Sequence, residues 1–316
     1  MKPEIQSFLE YYSDLIEHMD DSHIYSLIFQ ANSIREKYKG KKIELCAIVN
    51  AKSGLCSEDC AFCAQSSRYK TNSPVYSLLE KDEIVKKALE AKKYGVKRFS
   101  IVISGKKPSK KELEKIGNSI EEIKKIGIHT CASLGLLEYD EICYLRDKGL
   151  ERLHCNIETS ERFFSNICTT HKFSDKVKTL ENAKKTGLSI CSGGVFGIGE
   201  SWDDRKEMAE FLKNLNVDSI PINFLTPIKG TPLESKKTLN PMEALRIIIL
   251  FRLILPDKDI RVCGGRPLLG EFASWIFIAG ANALMTGNYL TTTGRHYSDD
   301  IKFIEAHGLE VDSVVS

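Results

Sequence analysis

One pattern recurs along most of the chain: a lysine-rich amphipathic stretch ends at a glycine, and a short apolar run follows. The first clear copy joins EIVKKALEAKKYG to VKRFSIVIS, and the next three stretches end at Gly127, Gly149 and Gly187. Glycine after basic residues is typical of a helix C-terminus, because glycine readily adopts the left-handed conformation and cations favour the last turn. The apolar runs have the length and composition of strands. The pattern therefore predicts alternating helices and strands.

The number of these units constrains the fold further. Seven units follow residue 80, and the run KIELCAIVN at 42–50 adds a strand before them. Strands that alternate with helices over this length form a parallel sheet, and eight of them favour a closed (β/α)8 barrel of the TIM type. An open, doubly wound α/β sheet is the alternative. We expect an α-helical N-terminal extension over residues 1–40 and a single barrel domain over 41–316.

Composition limits the classes of function. A formal net charge of +2 gives no sign of a nucleic-acid-binding surface. The most apolar stretch, at 244–256, contains two arginines and is too short to span a bilayer. The first 21 residues lack the basic segment and apolar run of a secretion signal. We therefore expect a cytoplasmic protein with reduced thiols, in which ten cysteines indicate metal or redox chemistry.

Three of these cysteines lie close together in the loop after the first predicted strand. Cys56, Cys60 and Cys63 are spaced C-x3-C-x2-C, and loops after barrel strands carry the chemistry of this fold. A structural zinc site needs four ligands, and no His or fourth Cys follows closely. Thiolates at such short spacings hold iron–sulfur clusters. We favour a four-iron cluster with one iron open to a small molecule, over zinc or chance spacing.

The motif in this position resembles the radical S-adenosylmethionine superfamily. Longer segments are similar, in order and spacing, to the biotin synthase family: CSEDCAFCAQSSRY, CASLGLL, NIETS, CSGGVFGIGES, PINFLTPIKGTPL, GGR and FIAGANALMTGNYLTTTG. The resemblance covers nearly the whole chain and implies an enzyme that converts dethiobiotin to biotin by inserting sulfur. It also implies a [4Fe–4S] cluster on the three loop thiols, S-adenosylmethionine bound to that cluster, and an auxiliary iron–sulfur cluster that supplies the sulfur.

Strand alternation tests independently for an auxiliary cluster, because alternate residues of a barrel strand point inward. In IHTCASL, LSICSGG and DIRVC the apolar residues form one face, which suits the surrounding helix layer. The mixed polar faces then put four functional side chains inside the barrel: Cys131, Cys191, Arg261 and Cys263.

The remaining four cysteines have no such assignment. Alternation puts Cys155 on an apolar face and leaves the face of Cys46 ambiguous. Cys143 falls in a predicted helix, and Cys168 falls in a loop or at a helix edge. We interpret these four as buried free thiols, which are common in protein cores.

The inward set departs from that of the best-known members of the family, which hold a [2Fe–2S] auxiliary cluster with three cysteines and one arginine. Cys131, Cys191 and Arg261 match three of those positions, Ser100 falls at the fourth, and Cys263 is an additional thiol. The resemblance therefore implies the variant class with a [4Fe–5S] auxiliary cluster on Cys131, Cys191 and Cys263. A [2Fe–2S] site with an altered ligand is the alternative, and we do not expect Ser100 to bind iron.

The resemblance implies further site residues. Contacts to S-adenosylmethionine fall on Phe62, Asn156, Glu158 and Lys176. Contacts to dethiobiotin fall on Asn156, Asn223, Thr292 and Thr293. Glu158 stands where the family has Asp, and Lys176 where it has Arg, so the charges are kept but the bidentate geometry of Arg is lost. Arg261 is the expected catalytic residue.

Partners and rival functions follow from the same resemblance. We expect an electron-donor protein of the flavodoxin or ferredoxin type, a cluster-repair or sulfur-delivery protein, and a homodimer, with neither nucleic acid nor a membrane. One alternative is another radical enzyme of this group, of the hydrogenase-maturation or methylornithine type. The thiols inside the barrel argue against those enzymes. The other alternative is a metal-binding scaffold protein.

Overall fold

Eight parallel strands close into a barrel in the computed structural model, which describes residues 24–291 and 294–313. The first strand pairs with both the second and the last of the eight, so the predicted closed barrel is confirmed and the open sheet is excluded. A short strand, β6, follows β5 in the chain and pairs with β7. Strand β10 pairs with the amino-terminal end of β1. The strands are β1 Lys42–Lys52, β2 Arg98–Ile103, β3 His129–Ser133, β4 Arg152–His154, β5 Ser189–Cys191, β6 Gly194–Phe196, β7 Ser219–Phe224, β8 Asp259–Val262, β9 Ala283–Thr286 and β10 Glu310–Asp312.

Helices connect successive strands and cover the outside of the barrel. Gly95, Gly127, Gly149 and Gly187 all have positive φ, between 72° and 105°, as predicted for helix ends. None of the helices described is both long and apolar enough to cross a membrane. The helices are α1 Ile24–Lys39, α2 Lys81–Lys93, α3 Lys110–Ile126, α4 Tyr139–Asp147, α5 Glu161–Phe164, α6 Phe173–Lys185, α7 Trp202–Asn214, α8 Pro241–Ile254 and α9 Tyr297–Glu305.

One predicted helix has a different form. The segment that was expected to form an α-helix before the last barrel strand is a 3-10 helix, Arg266–Ile276, broken at Gly270 (φ 49°, ψ −127°). Glycine accepts this conformation without a Cβ clash, which bends the segment over the barrel wall.

The predicted N-terminal extension lies partly within the described residues. Helix α1 packs against α8, and its buried face includes Leu27 and Ala31. Residues 1–23 lie outside the described part of the chain, as do Thr292 and Thr293. The division into 1–40 and 41–316 stays a prediction.

Strand register fixes which side chains face the barrel interior. Ser100 of β2 is paired with Cys131 of β3, and Cys131 is paired with Arg152 of β4. Paired residues of neighbouring parallel strands point to the same side of the sheet. The apolar residues between them, such as Ile101 and Leu153, are fully buried against the helix layer. Polar side chains and thiols therefore face inward, as alternation predicted.

Candidate active site

A cavity inside the barrel is lined by four thiols, from Cys46, Cys131, Cys191 and Cys263. Three of them are the thiols that alternation assigned to the interior. Cys46 is the fourth: alternation had left its face ambiguous, and the structure puts this free thiol at the cavity. The register could have identified it, because Cys46 is paired with Arg98, which also lines the cavity.

Burial dominates the protonation of these thiols. It raises the pKa of Cys46 to about 12 and that of Cys263 still further, while the charge of Arg261 acts in the opposite direction. Burial also raises the pKa of Cys131 and Cys191. In the metal-free chain the four thiols are therefore protonated near neutral pH. Metal binding would deprotonate them, since the thiolate is the ligand.

Three arginines surround the same cavity and balance the charge of a buried anionic group. Arg98, Arg152 and Arg261 line it together with the thiols. Nη1 of Arg152 is buried and makes no hydrogen bond, although it lies 3.6 Å from Glu44 Oε1. An unsatisfied buried guanidinium nitrogen is costly unless a ligand occupies the space beside it. Four thiols and a guanidinium nitrogen without a hydrogen bond fit an iron–sulfur cluster, whose thiolate ligands make it anionic.

Arg261 itself is held firmly by protein groups. Its Nη2 donates to Glu44 Oε1 and lies 3.4 Å from Ser219 Oγ. Burial is the largest influence on Glu44 and raises its pKa, but the charges of Arg261 and Arg98 outweigh burial and lower it. The carboxylate thus stays ionised and keeps the guanidinium at the cavity wall.

The C-x3-C-x2-C loop follows β1 and is fixed by backbone hydrogen bonds. Cys56 N donates to Gln65 O at 3.0 Å, and Cys63 N donates to Cys60 O at 2.9 Å. Burial raises the pKa of Cys63 to about 11, and the nearby Cys56 adds to this effect. All three cysteines are partly exposed.

Cys60 has a neighbour that the sequence did not reveal. Its Sγ lies 3.9 Å from Sγ of Cys168, which in turn lies 3.3 Å from Nδ1 of His171. The hydrogen bond from Cys60 is the largest influence on Cys168 and lowers its pKa to about 4, although burial opposes it. Cys168 is a buried free thiol, as expected, but its contacts with Cys60 and His171 were not predicted. The spacing C-x2-H in CTTH was the available signal.

The residues expected around S-adenosylmethionine lie between the loop and the cavity. Asn156 follows β4 and lines the cavity, and its Oδ1 accepts from Gly193 N at 3.0 Å. Lys176 Nζ lies 3.8 Å from Glu158 Oε1, and the pKa of this buried lysine is raised by Cys155 and Glu158 against the larger effect of burial. Phe62 is half-buried against the core. These positions agree with the expected roles without testing them.

Glu158 offers a direct indication of a missing ligand. It has φ +73°, an uncommon conformation for a residue with a side chain, and its Oε2 is buried with no hydrogen-bond partner. Asn156 and Lys176 lie close by. An unpaired carboxylate oxygen at the end of β4 fits the hydroxyl groups of a ribose.

The substrate-contact residues are only partly described. Asn223 lines the cavity, donating through Nδ2 to Gly194 O at 3.1 Å and accepting through Oδ1 from Gly264 N at 3.0 Å. Met285 and Leu290 add apolar lining that sequence reasoning had not singled out. Thr292 and Thr293 lie outside the described residues, so their expected contacts stay predictions.

His154 belongs to the same wall. Burial lowers its pKa to about 4, so the ring is neutral, and its Nδ1 lies 3.3 Å from Cys191 Sγ. Cys155 points the other way, into the hydrophobic core, as alternation predicted. Cys143 is half-buried on α4.

Two protein families match successive parts of the chain. Residues 52–212 match the Radical SAM superfamily, and residues 221–310 match the Biotin and Thiamin Synthesis associated domain. The first region contains the cysteine loop and β2 to β5. The second contains β7 to β9, with Arg261 and Cys263.

Individual proteins extend these matches. Over the full length of both chains, the sequence is 98% identical to the biotin synthase of Thermodesulfovibrio yellowstonii. It is 53% identical to the biotin synthase of Thermotoga neapolitana, over 84% of this chain and 96% of that protein. Among solved structures, methylornithine synthase has a TM-score of 0.83 at 21% identity, covering 96% of this chain and 93% of that one, and supports the fold alone. The chain therefore belongs to the biotin synthase family, within the radical S-adenosylmethionine superfamily.

Proposed function

We propose that Cys131, Cys191 and Cys263, with Cys46 as a candidate fourth ligand, hold the auxiliary iron–sulfur cluster from which this member of the biotin synthase family takes its sulfur. The chain is an enzyme that converts dethiobiotin to biotin by radical sulfur insertion. It uses a [4Fe–4S] cluster and S-adenosylmethionine, and it requires an electron donor. The observation that carries the proposal is the cavity in which the thiols meet three arginines, one of which, Arg152, has a buried Nη1 without a hydrogen bond.

The cofactors supply the bond-breaking chemistry, and the chain supplies position and surroundings. When bound, the loop cluster with S-adenosylmethionine provides a 5′-deoxyadenosyl radical, and the auxiliary cluster provides sulfur. We assign the loop cluster to Cys56, Cys60 and Cys63. Asn156, Glu158 and Lys176 would orient the ribose and the methionyl carboxylate, with Phe62 against the adenine.

The cavity residues would hold dethiobiotin between the two clusters. Asn223 contributes one amide whose hydrogen bonds to Gly194 and Gly264 already fix its orientation. The apolar side chains of Met285 and Leu290 would exclude water from a carbon radical, which would otherwise be exposed to side reactions. Thr292 and Thr293 are assigned to the substrate carboxylate.

A ligand set of thiols favours a cluster that can release sulfur while it stays bound to the protein. We assign Cys131, Cys191 and Cys263 to three irons of a [4Fe–5S] cluster, and we add Cys46 as a fourth ligand candidate. With these three thiolates as ligands, one iron of such a cluster would stay without a protein ligand and could carry the additional sulfide. If Cys46 also binds iron, the sulfur must come from the cluster core.

Arg261 would act from the cavity wall. Because Glu44 and Ser219 already engage its Nη2, we assign the guanidinium to charge compensation for the cluster. Iron ligation would require it to leave that carboxylate, and a buried charge left alone is strongly unfavourable. Ser100 lines the cavity and is assigned no iron.

Three further expectations accompany this function as proposals: a homodimer, a cluster-repair or sulfur-delivery partner, and a cytoplasmic location. The cluster-repair or sulfur-delivery partner follows from the chemistry, since sulfur that is lost to biotin has to be replaced before another turnover.

Single alanine variants at Cys46, Cys131, Cys191 and Cys263 test the ligand set. Each would be reconstituted anaerobically, and its iron and acid-labile sulfide compared with those of wild type. We expect Cys131→Ala, Cys191→Ala and Cys263→Ala to lose auxiliary iron while keeping about four irons of the loop cluster. Cys143→Ala is the matched control on the helix surface. Full auxiliary iron in Cys263→Ala would contradict the assigned set, and full iron in all four variants would contradict the proposal.

A further inference from the structure

Cys60, Cys168 and His171 form a compact group of potential metal ligands at the edge of the loop. Within the described residues, theirs is the one group of three or more His, Cys, Asp and Glu side chains whose ligand atoms all lie within 4.8 Å of one another. Cys168 and His171 are both buried, at 4% and 8% exposure, and Cys60 is partly exposed. An ion could therefore enter from the side of Cys60.

The chain holds the two partners of Cys60 in place through the loop itself. Ala61 N donates to Ile167 O at 2.8 Å, which ties the loop to the segment after α5. The carboxylate of Asp59 accepts from Thr169 N at 2.9 Å and from Thr170 Oγ1 at 3.0 Å. These hydrogen bonds fix the backbone on both sides of Cys168 and thereby hold its thiol next to Cys60.

The ring of His171 is also oriented by its neighbours. Phe164 packs edge-on against it, with ring centroids 5.6 Å apart, and Glu58 Oε2 lies 2.6 Å from its Nδ1. A carboxylate beside a histidine is a common arrangement around bound metals, where it orients the ring or becomes a ligand. Glu58 is thus placed to support the site or complete it.

The distances match a tetrahedral ion. With metal–sulfur bonds of about 2.3 Å and metal–nitrogen bonds of about 2.0 Å, the edges of a tetrahedron are about 3.8 Å between two sulfurs and about 3.5 Å between sulfur and nitrogen. The observed values are 3.9 Å between the sulfurs of Cys60 and Cys168, and 3.8 Å between Cys168 Sγ and His171 Nε2, the ring nitrogen that Glu58 leaves free. Two thiolates and an imidazole are ligands that Zn²⁺ and Fe²⁺ accept, and Mg²⁺ and Ca²⁺ do not prefer.

We propose that Cys60, Cys168 and His171 bind one divalent transition-metal ion, Fe²⁺ or Zn²⁺, in the chain that has not yet received its loop cluster. Cys60 belongs to both sites, so the mononuclear ion and the four-iron cluster exclude each other. Assembly of the loop cluster must release the ion or incorporate it. The proposal concerns the cluster-free chain and does not depend on the auxiliary ligand set.

The test measures metal binding by the full-length chain with the loop cluster disabled. In a Cys56→Ala/Cys63→Ala background the cubane cannot form, while the three proposed ligands remain. Anaerobic titration with Co²⁺ reports thiolate ligation through its charge-transfer absorption, and zinc X-ray absorption gives the ligand shell. We expect Cys168→Ala and His171→Ala each to bind one fewer ion per chain than the background, and Cys143→Ala to bind the same number.

All variants keep the barrel thiols. Any ions bound by those thiols therefore cancel when each variant is compared with the background. Thermal unfolding of each variant checks that the fold is retained, and His171→Asn offers a smaller change if alanine unfolds the segment. Unchanged ion stoichiometry, together with an unchanged sulfur and nitrogen shell, in folded Cys168→Ala and His171 variants would overturn the proposal.

A competition experiment tests the shared ligand. One equivalent of Zn²⁺ added before anaerobic reconstitution should slow the appearance of the loop-cluster absorption in a Cys131→Ala/Cys191→Ala background. We expect Cys168→Ser in that background to relieve most of this delay. An equal delay with and without Cys168 would contradict mutual exclusion. Both readouts follow metals and not biotin, so they stand apart from the test of the auxiliary cluster.

Discussion

Glu44 is the carboxylate that lies next to all three cavity arginines, near the amino end of β1. Its oxygens accept from Arg98 Nε at 3.1 and 3.2 Å and from Arg261 Nη2, and Arg152 Nη1 lies 3.6 Å away. Without the carboxylate, Arg98 and Arg261 would lose the counter-charge that pairs with them, and Arg152 would keep only Asp259, at 4.0 Å. Glu44 therefore makes it possible for the barrel to present positive charge to the cavity and still fold.

We predict that Glu44→Gln lowers the free energy of unfolding by about 3–5 kcal/mol, because it leaves buried arginines without their counter-charge. Anaerobic urea denaturation of the cluster-free chain measures this. Glu122→Gln is the control, since Glu122 pairs with Lys125 on an exposed helix surface and its loss should not be measurable. Equal stabilities for Glu44→Gln and wild type would refute the role given to this residue.

For single residues, the sequence predicted which face of a strand a side chain occupies better than it predicted contacts between distant residues. Alternation placed Cys131, Cys191 and Cys263 correctly inside the barrel, because a strand has a strict period of two residues. It was undecided for Cys46, since both faces of KIELCAIVN carry apolar residues. The sequence put Cys168 in a loop or at a helix edge but did not predict its approach to Cys60, because that contact joins segments more than a hundred residues apart and depends on how two loops fold together.

Two glycines allow the elements around the site to lie unusually close. A Cβ on Gly193 would lie 2.0 Å from Pro221 O, and one on Gly194 would lie 2.0 Å from Glu158 O. Val195 N also donates to Glu158 O at 3.0 Å. The close approach of β6 to the end of β4 therefore sets the position of Glu158.

We predict that Gly194→Ala displaces Glu158 and weakens S-adenosylmethionine binding at least about tenfold, the equivalent of about 1.4 kcal/mol. Equilibrium dialysis against the cluster-loaded chain measures this affinity. Gly187→Ala is the matched control: it has φ +82° and nothing within 4 Å of an added Cβ. It should cost about 1–2 kcal/mol of stability through backbone strain and leave the affinity unchanged. Wild-type affinity in Gly194→Ala would contradict the placement of Glu158.

Asp204 joins the starts of two helices. It accepts from Ser160 Oγ at 2.6 Å, from Ser201 Oγ at 2.7 Å and from Arg162 Nε at 2.7 Å. Ser160 and Ser201 are the N-caps of α5 and α7. Burial is the largest influence and raises the pKa of Asp204, but these hydrogen bonds outweigh it and lower the pKa to about 2.

We predict that the difference in stability between wild type and Asp204→Asn depends on pH. Because the pKa of Asp204 is lower in the folded chain than its ordinary value of 3.8, the ionised carboxylate stabilises the fold at neutral pH and loses this effect as the pH falls toward 2. Asp204→Asn should be less stable by about 2 kcal/mol at pH 7, with the gap narrowing from pH 5 to pH 3. Urea unfolding across this range measures the gap, and a constant gap would argue against the ionised carboxylate as its source.

The repeated helix–glycine–strand unit determines the architecture of the whole molecule. The repeat predicted eight strands and a closed barrel, and the pairing of β1 with β9 confirms it. The short strands β6 and β10 were not predicted, because three-residue strands are defined by their neighbours and carry little pattern of their own. The 3-10 helix overlaps the first half of the α-helix that was expected over EFASWIFIAGAN, and the non-helical Gly270 directly precedes that stretch.

Iron-57 Mössbauer spectroscopy of the anaerobically reconstituted chain, with biotin measured in the same sample, tests the central claim most directly. We predict two cluster signals in wild type, and biotin formed from dethiobiotin. In Cys131→Ala/Cys191→Ala we predict the loop-cluster signal alone and no biotin. A second cluster signal that survives in the double variant, or biotin formed by it, would contradict the claim that the barrel thiols hold the sulfur source.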